Sequence, residues 1–116
     1  MTIQGKVWGQ TVPVFAGNNV EVHHIRIRAG GFCSRHRHAH KHNLFYVLSG
    51  ALRIKAWKAD YDLCDETTLH AGQATTVPPG EFHRFEALSP VEALEVYWLT
   101  LDPGDIERKD VGGVGE

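Results

Sequence analysis

Hydrophobic and polar residues alternate with a period of two along most of this chain, and few segments show the three-to-four-residue spacing of an amphipathic helix. The clearest case is residues 44–59, where two alternating segments meet at Ser49-Gly50 and predict two strands joined by a tight turn. Five more segments have the same character. They predict strands at Thr11–Phe15, Leu63–His70, Gln73–Val77, Glu81–Leu88 and Val91–Leu101.

The segment Val20–Ile27 also alternates, but its phase changes by one residue at His23-His24, which predicts a β-bulge there. Glycine, proline and asparagine residues separate the predicted strands at short intervals. Many short strands without a long helix indicate an all-β sandwich or barrel. We predict one domain over residues 1–103, followed by a glycine-rich tail over 104–116 that frays.

Composition narrows the function classes. The chain has 116 residues and a net charge of −2 with both signs dispersed, so neither a nucleic acid nor a membrane surface is expected as a partner. The N-terminal segment lacks the apolar core of a signal peptide, and no apolar run is long enough to cross a bilayer. We therefore expect a cytoplasmic protein in which Cys33 and Cys64 are reduced thiols.

Histidine is over-represented, with eight residues, of which four occupy the alternate positions 36, 38, 40 and 42. Residues two apart on a strand face the same way, so His36 and His38 can point together into a barrel. His83 follows the turn Pro78-Pro79-Gly80 on a later predicted strand, and antiparallel pairing could place it opposite the first two. Three neutral imidazoles bind a divalent transition metal and leave a coordination position open for water or substrate.

Two glycine-punctuated motifs contain these histidines: Gly30-x5-His36-x-His38-x4-Asn43-x6-Gly50 and Gly72-x5-Pro78-x-Gly80-x2-His83-x3-Ala87. Both match the signatures of the cupin superfamily in every spacing. The chain therefore resembles a small single-domain cupin, which implies a double-stranded β-helix, or jelly-roll barrel.

The resemblance implies that His36, His38, His83 and the residue at position 43 are the metal ligands. Asn43 stands where cupins usually have glutamate, and Ala87 stands where they have asparagine. Asparagine offers only a neutral carbonyl oxygen, which is a weak donor for a transition metal. The site is therefore expected to hold one divalent ion, either Zn, Mn, Fe or Ni, mainly through three histidines, with His42 as the alternative fourth ligand.

A second set of short motifs spans nearly the whole chain: Val7-Trp8-Gly9, His38-Ala39-His40-Lys41, Pro78-x-Gly80 with His83-Arg84, and Gly104-Asp105-Ile106-Glu107-Arg108. These motifs are similar to those of the C-terminal isomerase domain of the bifunctional mannose-6-phosphate isomerase/mannose-1-phosphate guanylyltransferase family. Three features differ from that family: Asn43-Leu44-Phe45 stands in place of its E-H-W, His36 in place of its glutamine ligand and Lys41 in place of its phosphate-handling arginine.

These features leave two classes of function open. The first is an enzyme whose metal ion polarises a sugar, sugar phosphate or organic acid, with isomerase or epimerase chemistry as the first hypothesis and a three-histidine iron dioxygenase as its rival. The second is a cupin that binds or senses a ligand without catalysis. An isomerase needs a base near the metal, and the candidate catalytic residues are His40, Lys41, His42 and Glu86.

The last predicted strand suggests how the chain assembles. The segment Val91–Leu101 is apolar on both faces, so one face can fill the barrel and the other needs cover. A second copy related by a two-fold axis is the commonest way to provide it, and we predict a homodimer.

Overall fold

The computed structural model describes residues 4–58, 63–100, 104, 105, 107, 109 and 112–115. Within them the chain forms β-strands without helices, so no helix here could cross a membrane. The strands are β1 Gln4–Lys6, β2 Gly9–Ala16, β3 Val20–Ile27, β4 His42–Ser49, β5 Leu52–Trp57, β6 Cys64–Leu69, β7 Ala74–Val77, β8 Phe82–Ala87 and β9 Val91–Trp98.

The strands form two antiparallel sheets that face each other. The large sheet has the order β1-β2-β3-β9-β4-β7 and the small sheet the order β6-β5-β8. Period-two alternation places every second side chain between the sheets, as in Phe45 and Val47 on β4, which are fully buried. This arrangement confirms the predicted all-β jelly-roll.

Each predicted strand corresponds to a strand of the structure, but one connection differs from expectation. The turn at Gly50 passes the chain from the large sheet to the small one, so β4 and β5 are not paired with each other. Gly50 has φ +88°, and a Cβ atom there would lie 2.1 Å from the carbonyl oxygen of Pro90, so only glycine fits. Short β1 was not predicted, and the expected end of β9 at Leu101 lies outside the described residues.

The bulge predicted in Val20–Ile27 is wrong in its position. Strand β3 pairs with β9 without interruption, and the register shift lies on the neighbouring β2, between Pro13 and Phe15. The phase changes at His23 because this polar side chain faces the interior, in the same row as Ile25 and Ile27. Sequence alone cannot distinguish an inward histidine from a slipped strand.

A second irregularity lies between residues 31 and 38, which run antiparallel beside β8 and extend the small sheet. Phe32 pairs with Glu86, and His36 pairs with His83. Four steps on one side therefore match three on the other, which is the extra residue of a β-bulge. Because of this bulge Cys33 and His36 both face the interior, although their numbers differ in parity.

The outer faces of the two sheets differ in chemistry. The large sheet exposes apolar side chains, among them Tyr46 and Leu48, which are 38% and 41% exposed. On the small sheet Arg35 stacks over the Trp57 ring at 4.0 Å, and Arg84 stacks over Phe32 at 4.4 Å. Cys33 is buried and Cys64 exposed, and neither forms a disulfide.

Candidate metal centre

Three histidines from two neighbouring segments meet inside the barrel. His36 and His38 come from the bulged segment, and His83 comes from β8. Their ligand nitrogen atoms all lie within 4.8 Å of one another, and the His36 and His83 ring centroids are 4.5 Å apart. The backbone fixes this arrangement, because His36 and His83 exchange two hydrogen bonds at 3.1 and 2.8 Å.

The turn before β8 holds His38 in place. The amide of Gly80, at φ +87°, donates to the carbonyl oxygen of His38 at 2.8 Å. The positive φ explains why the second sequence motif carries glycine at this position. The His38 ring then lies edge-on to Tyr97, with centroids 5.2 Å apart.

Hydrogen bonds to the backbone select the tautomer of two of these rings. Nδ1 of His36 donates to the carbonyl oxygen of Ser34 at 2.7 Å, and Nδ1 of His83 donates to that of Glu81 at 3.1 Å. Since a carbonyl only accepts, Nδ1 carries the hydrogen and Nε2 keeps its lone pair. This is the outer-shell pattern by which proteins orient histidine ligands.

Two ligand atoms have no partner at all within the described residues. Nε2 of His38 and Nε2 of His83 are buried and make no hydrogen bond. A buried nitrogen of this kind costs free energy unless something satisfies it, and a metal ion does so. The residues present therefore fit a divalent metal ion held by His36, His38 and His83.

Electrostatics favours the neutral, ligating form of these rings. The pKa of His38 is lowered to about 4, mainly by burial and to a smaller degree by charge repulsion from His36, His83 and Lys41. Burial also lowers the pKa of His83, against the hydrogen bond to the Glu81 carbonyl, which raises it. Both rings are neutral at pH 7 and need lose no proton before they bind a metal ion.

Asn43, the proposed fourth ligand, is completely buried on β4 and faces the same interior. Its amide nitrogen donates to the carbonyl oxygen of Val96 at 3.4 Å and also to the carboxylate of Glu95. Its side-chain oxygen has no hydrogen-bond partner in the part of the chain that the structure describes. Whether this oxygen reaches a bound ion stays a prediction.

Glu95, His23 and Tyr97 were not among the expected site residues. Glu95 is only 9% exposed and lines a cavity of about 300 Å³ together with His36, His23 and Tyr97. Burial raises the pKa of its carboxyl group, although hydrogen bonds from Tyr97 and Asn43 and nearby histidine charges oppose this. The signal in the sequence was a charged residue in the row Val91, Ala93, Glu95, all of which face inward.

The candidate catalytic residues do not gather around the histidines. His42 lies on the outer face of β4 and stacks on Trp98, with centroids 5.3 Å apart, because β4 alternates and Asn43 takes the inward position. His42 is therefore not placed to be a fourth ligand. His40 is exposed, and Lys41 lies over the Tyr97 ring at 5.0 Å and beside Glu21.

Glu86, the other candidate base, lies away from the three histidines. It lies on β8 with the opposite parity to His83 and faces outward. Arg53 and Arg84 bind its carboxylate at 2.8 and 2.7 Å, and Lys55 lies at 3.4 Å. Burial would raise the pKa of Glu86, but the hydrogen bonds from these three cations outweigh burial and lower it. Its role is to hold the outer face of the small sheet.

Comparisons with known proteins agree with the fold described above. The family described as "Cupin domain" matches residues 23–100, which include all three histidines. No curated protein matches the chain in sequence.

Solved structures show the same fold at low sequence identity. KdgF from Halomonas sp. superposes with a TM-score of 0.74 and 18% identity over 88% of this chain and 89% of its own. A variant of oxalate decarboxylase from Bacillus subtilis gives 0.74 and 18% over 84% of this chain and 27% of its own. The Cnp3 cupin domain of Schizosaccharomyces pombe gives 0.72 and 12% over 86% and 69%.

Proposed function

This chain belongs to the cupin domain family, and from that premise we propose that it is a metal-dependent enzyme acting on a small polar substrate. One divalent transition-metal ion binds to His36, His38 and His83. The observation that carries the proposal is the pair of buried Nε2 atoms, on His38 and His83, that have no partner among the described residues. Without an ion this arrangement has no physical benefit.

Three protein ligands leave room for a substrate oxygen. A bound divalent ion polarises a carbonyl or hydroxyl group and favours loss of a nearby proton. The backbone carbonyls of Ser34 and Glu81 fix the rings of His36 and His83, so the ligand atoms are oriented before the substrate arrives. The inward aromatic residues exclude water from the remaining walls of the cavity.

Isomerase or epimerase chemistry is the reaction we favour, because it requires only that a proton be taken and returned. Glu95 supplies the group for this step: its carboxylate lines the cavity that contains His36. Burial raises the pKa of Glu95, so its carboxylate is a stronger base than one that is exposed to solvent. Tyr97 and Asn43 hold the carboxylate by hydrogen bonds and keep it in position.

Metal content tests the proposal. The purified protein should contain close to one equivalent of a first-row divalent ion, and His83→Ala should abolish it. His70→Ala is the matched control, because His70 is exposed and lies outside the cluster. Elemental analysis showing no metal in the wild type, together with no binding by calorimetry, would refute the proposal.

The identity of the ion distinguishes the alternatives. A redox-active iron with oxygen consumption favours the three-histidine dioxygenase, which the same ligand set also supports. A metal-loaded protein that binds sugars or organic acids but converts none of them favours a sensing module. Zinc or manganese with interconversion of sugars favours the isomerase.

We also propose that a second copy of the chain covers the outer face of the large sheet. Strands β3, β9 and β4 present Val22, Val96 and Leu44 side by side on that face. Sedimentation equilibrium at micromolar concentration should give twice the chain mass of 12.9 kDa. A single species of 12.9 kDa at all concentrations contradicts the dimer.

A further inference from the structure

The cavity beside the metal centre has a second polar group besides the histidines. One space of about 300 Å³ is lined by both His36 and Glu95. This volume is at the lower end of the range for small-molecule sites, roughly 300–1,000 Å³. It suits one molecule of monosaccharide size that contacts the ion and the carboxylate at the same time.

Glu95 needs hydrogen-bond donors that the protein does not fully supply. Its carboxylate accepts from Tyr97 and Asn43, whereas a carboxylate has about four acceptor positions. Among the described residues no lysine or arginine lies within salt-bridge distance of it, unlike Glu86. A buried carboxylate without a cation is stabilised by further donors, and the cavity is where a ligand can provide them.

The walls of the cavity also favour a hydroxylated molecule. Thr11 and Ser34 bring hydroxyl groups, and Trp8 packs edge-on against Phe85 at 5.0 Å to form an apolar wall. Lys6 is the one cation among the lining residues, and its side chain is exposed at the rim. The interior is therefore built for hydrogen bonds rather than for a negatively charged group.

We propose that this cavity binds a small neutral polyhydroxylated compound, in which one oxygen contacts the metal ion and a neighbouring hydroxyl donates to Glu95. This inference rests on the proposed function, since it places the ligand at the same metal centre. A dicarboxylate is disfavoured because its second carboxylate would meet Glu95, and two like charges in a buried space repel each other. The selectivity for neutral over dianionic ligands therefore resides in Glu95.

The experiment uses cobalt(II)-loaded protein, because the visible spectrum of cobalt reports changes at the ion independently of turnover. Glycerol, erythritol and D-fructose serve as neutral probes, and oxalate is the dianion. Glu95→Gln should weaken the neutral probes about tenfold, because a charged acceptor is replaced by a neutral one. The same variant should tighten oxalate about tenfold, because the repulsive charge is removed.

Glu92→Gln is the matched control, because Glu92 lies on the same strand but faces outward and pairs with Arg26. It should leave the affinities for all four probes unchanged. If Glu95→Gln does not fold, Tyr97→Phe takes its place: it removes one donor to Glu95 but keeps the charge, so the carboxylate depends more on ligand hydroxyls and the ratio of neutral-probe to oxalate affinity should rise.

The outcomes separate the two proposals. Failure of the wild type to bind cobalt refutes the metal centre itself. Cobalt binding without saturable binding of any neutral probe overturns the ligand class alone. The same conclusion follows if cobalt binds but the ratio of neutral-probe to oxalate affinity is the same in the wild type, Glu95→Gln and Tyr97→Phe.

Discussion

The interior of this barrel has an apolar half and a polar half, although the same strands build both. On β3 the inward row passes from Ile25 to His23, and on β9 it passes from Ala93 to Glu95. The register aligns these changes, because Ile25 pairs with Ala93 and His23 pairs with Glu95. Strands β4 and β8 change in the same direction, from Phe45 to Asn43 and from Phe85 to His83.

The comparison shows how a small barrel divides its tasks. The apolar half supplies the stability of the fold by burying side chains such as Ile25 and Val47. The polar half costs stability, because two of its imidazoles and the amide oxygen of Asn43 are taken out of water without a partner among the described residues. Function can therefore be placed in one half while the other holds the strands in register.

Removing a ligand from the polar half gives the largest expected effect. His83→Ala should lower the affinity for the divalent ion by more than the roughly 10–100-fold that loss of an outer-shell partner costs, because a direct ligand is lost. Calorimetric titration of the metal-free protein measures this. A loss below tenfold would mean that His83 does not bind the ion.

Truncating a side chain in the apolar half should lower the stability of the fold and leave the metal affinity nearly unchanged. Ile25→Ala removes a completely buried side chain, and we expect the free energy of unfolding to fall by about 2–5 kcal/mol. Metal affinity of the folded variant should stay within about threefold of the wild type. Denaturant unfolding measures the change in stability, and metal titration measures the change in affinity. A large loss of metal affinity would show that the two halves are not independent.

The stability of the metal-free protein should depend on pH because of a histidine in the polar half. The pKa of His38 is lowered from 6.5 to about 4, mainly by burial, so the unfolded chain binds more protons than the folded one between these values. Stability should therefore fall as the pH drops from 6.5 to 4. His38→Gln should flatten this dependence in chelator-treated protein, and an unchanged slope would contradict the prediction.

The smallest expected change is at position 43. Asn43→Glu should tighten metal binding about tenfold if the side-chain oxygen lies in the ligand shell, because a carboxylate is a charged and stronger donor. Asn43→Gln, which keeps the neutral amide, is the control. Unchanged affinity in Asn43→Glu would show that the side chain serves Glu95 rather than the ion.

Much of the apolar half could be predicted from the sequence, and much of the polar half could not. Alternation gave the strands and the inward positions of Phe45 and Val47, because aliphatic and aromatic side chains prefer the interior. Inward polar residues cannot be recognised by this rule, since the inward Glu95 cannot be distinguished in the sequence from a carboxylate that is exposed to solvent. Glu86 shows the converse difficulty: it was named as a candidate base, but on β8 it lies on the outer face of the small sheet and is bound by cations.

The three histidines were found because their spacing follows strand geometry on each segment separately. The bulge that brings Cys33 and His36 to the same side was not predicted, since it depends on how residues 31–38 pair with β8. Pairing between distant segments is a property of the folded chain. The resemblance to cupins supplied this information indirectly, through the fixed distance from Gly30 to His36.

That bulge also limits how the chain can change its length. Phe32 and His36 are both tied to β8, with one residue more than a regular ladder would need. Deleting a single residue between Cys33 and His36 would leave three steps against the three of β8, so the ladder would become regular with His36 still opposite His83 and still facing inward. Inserting a residue would add a second unpaired residue to the same bulge. We therefore expect this stretch to accept the loss of exposed Arg35 more readily than any insertion.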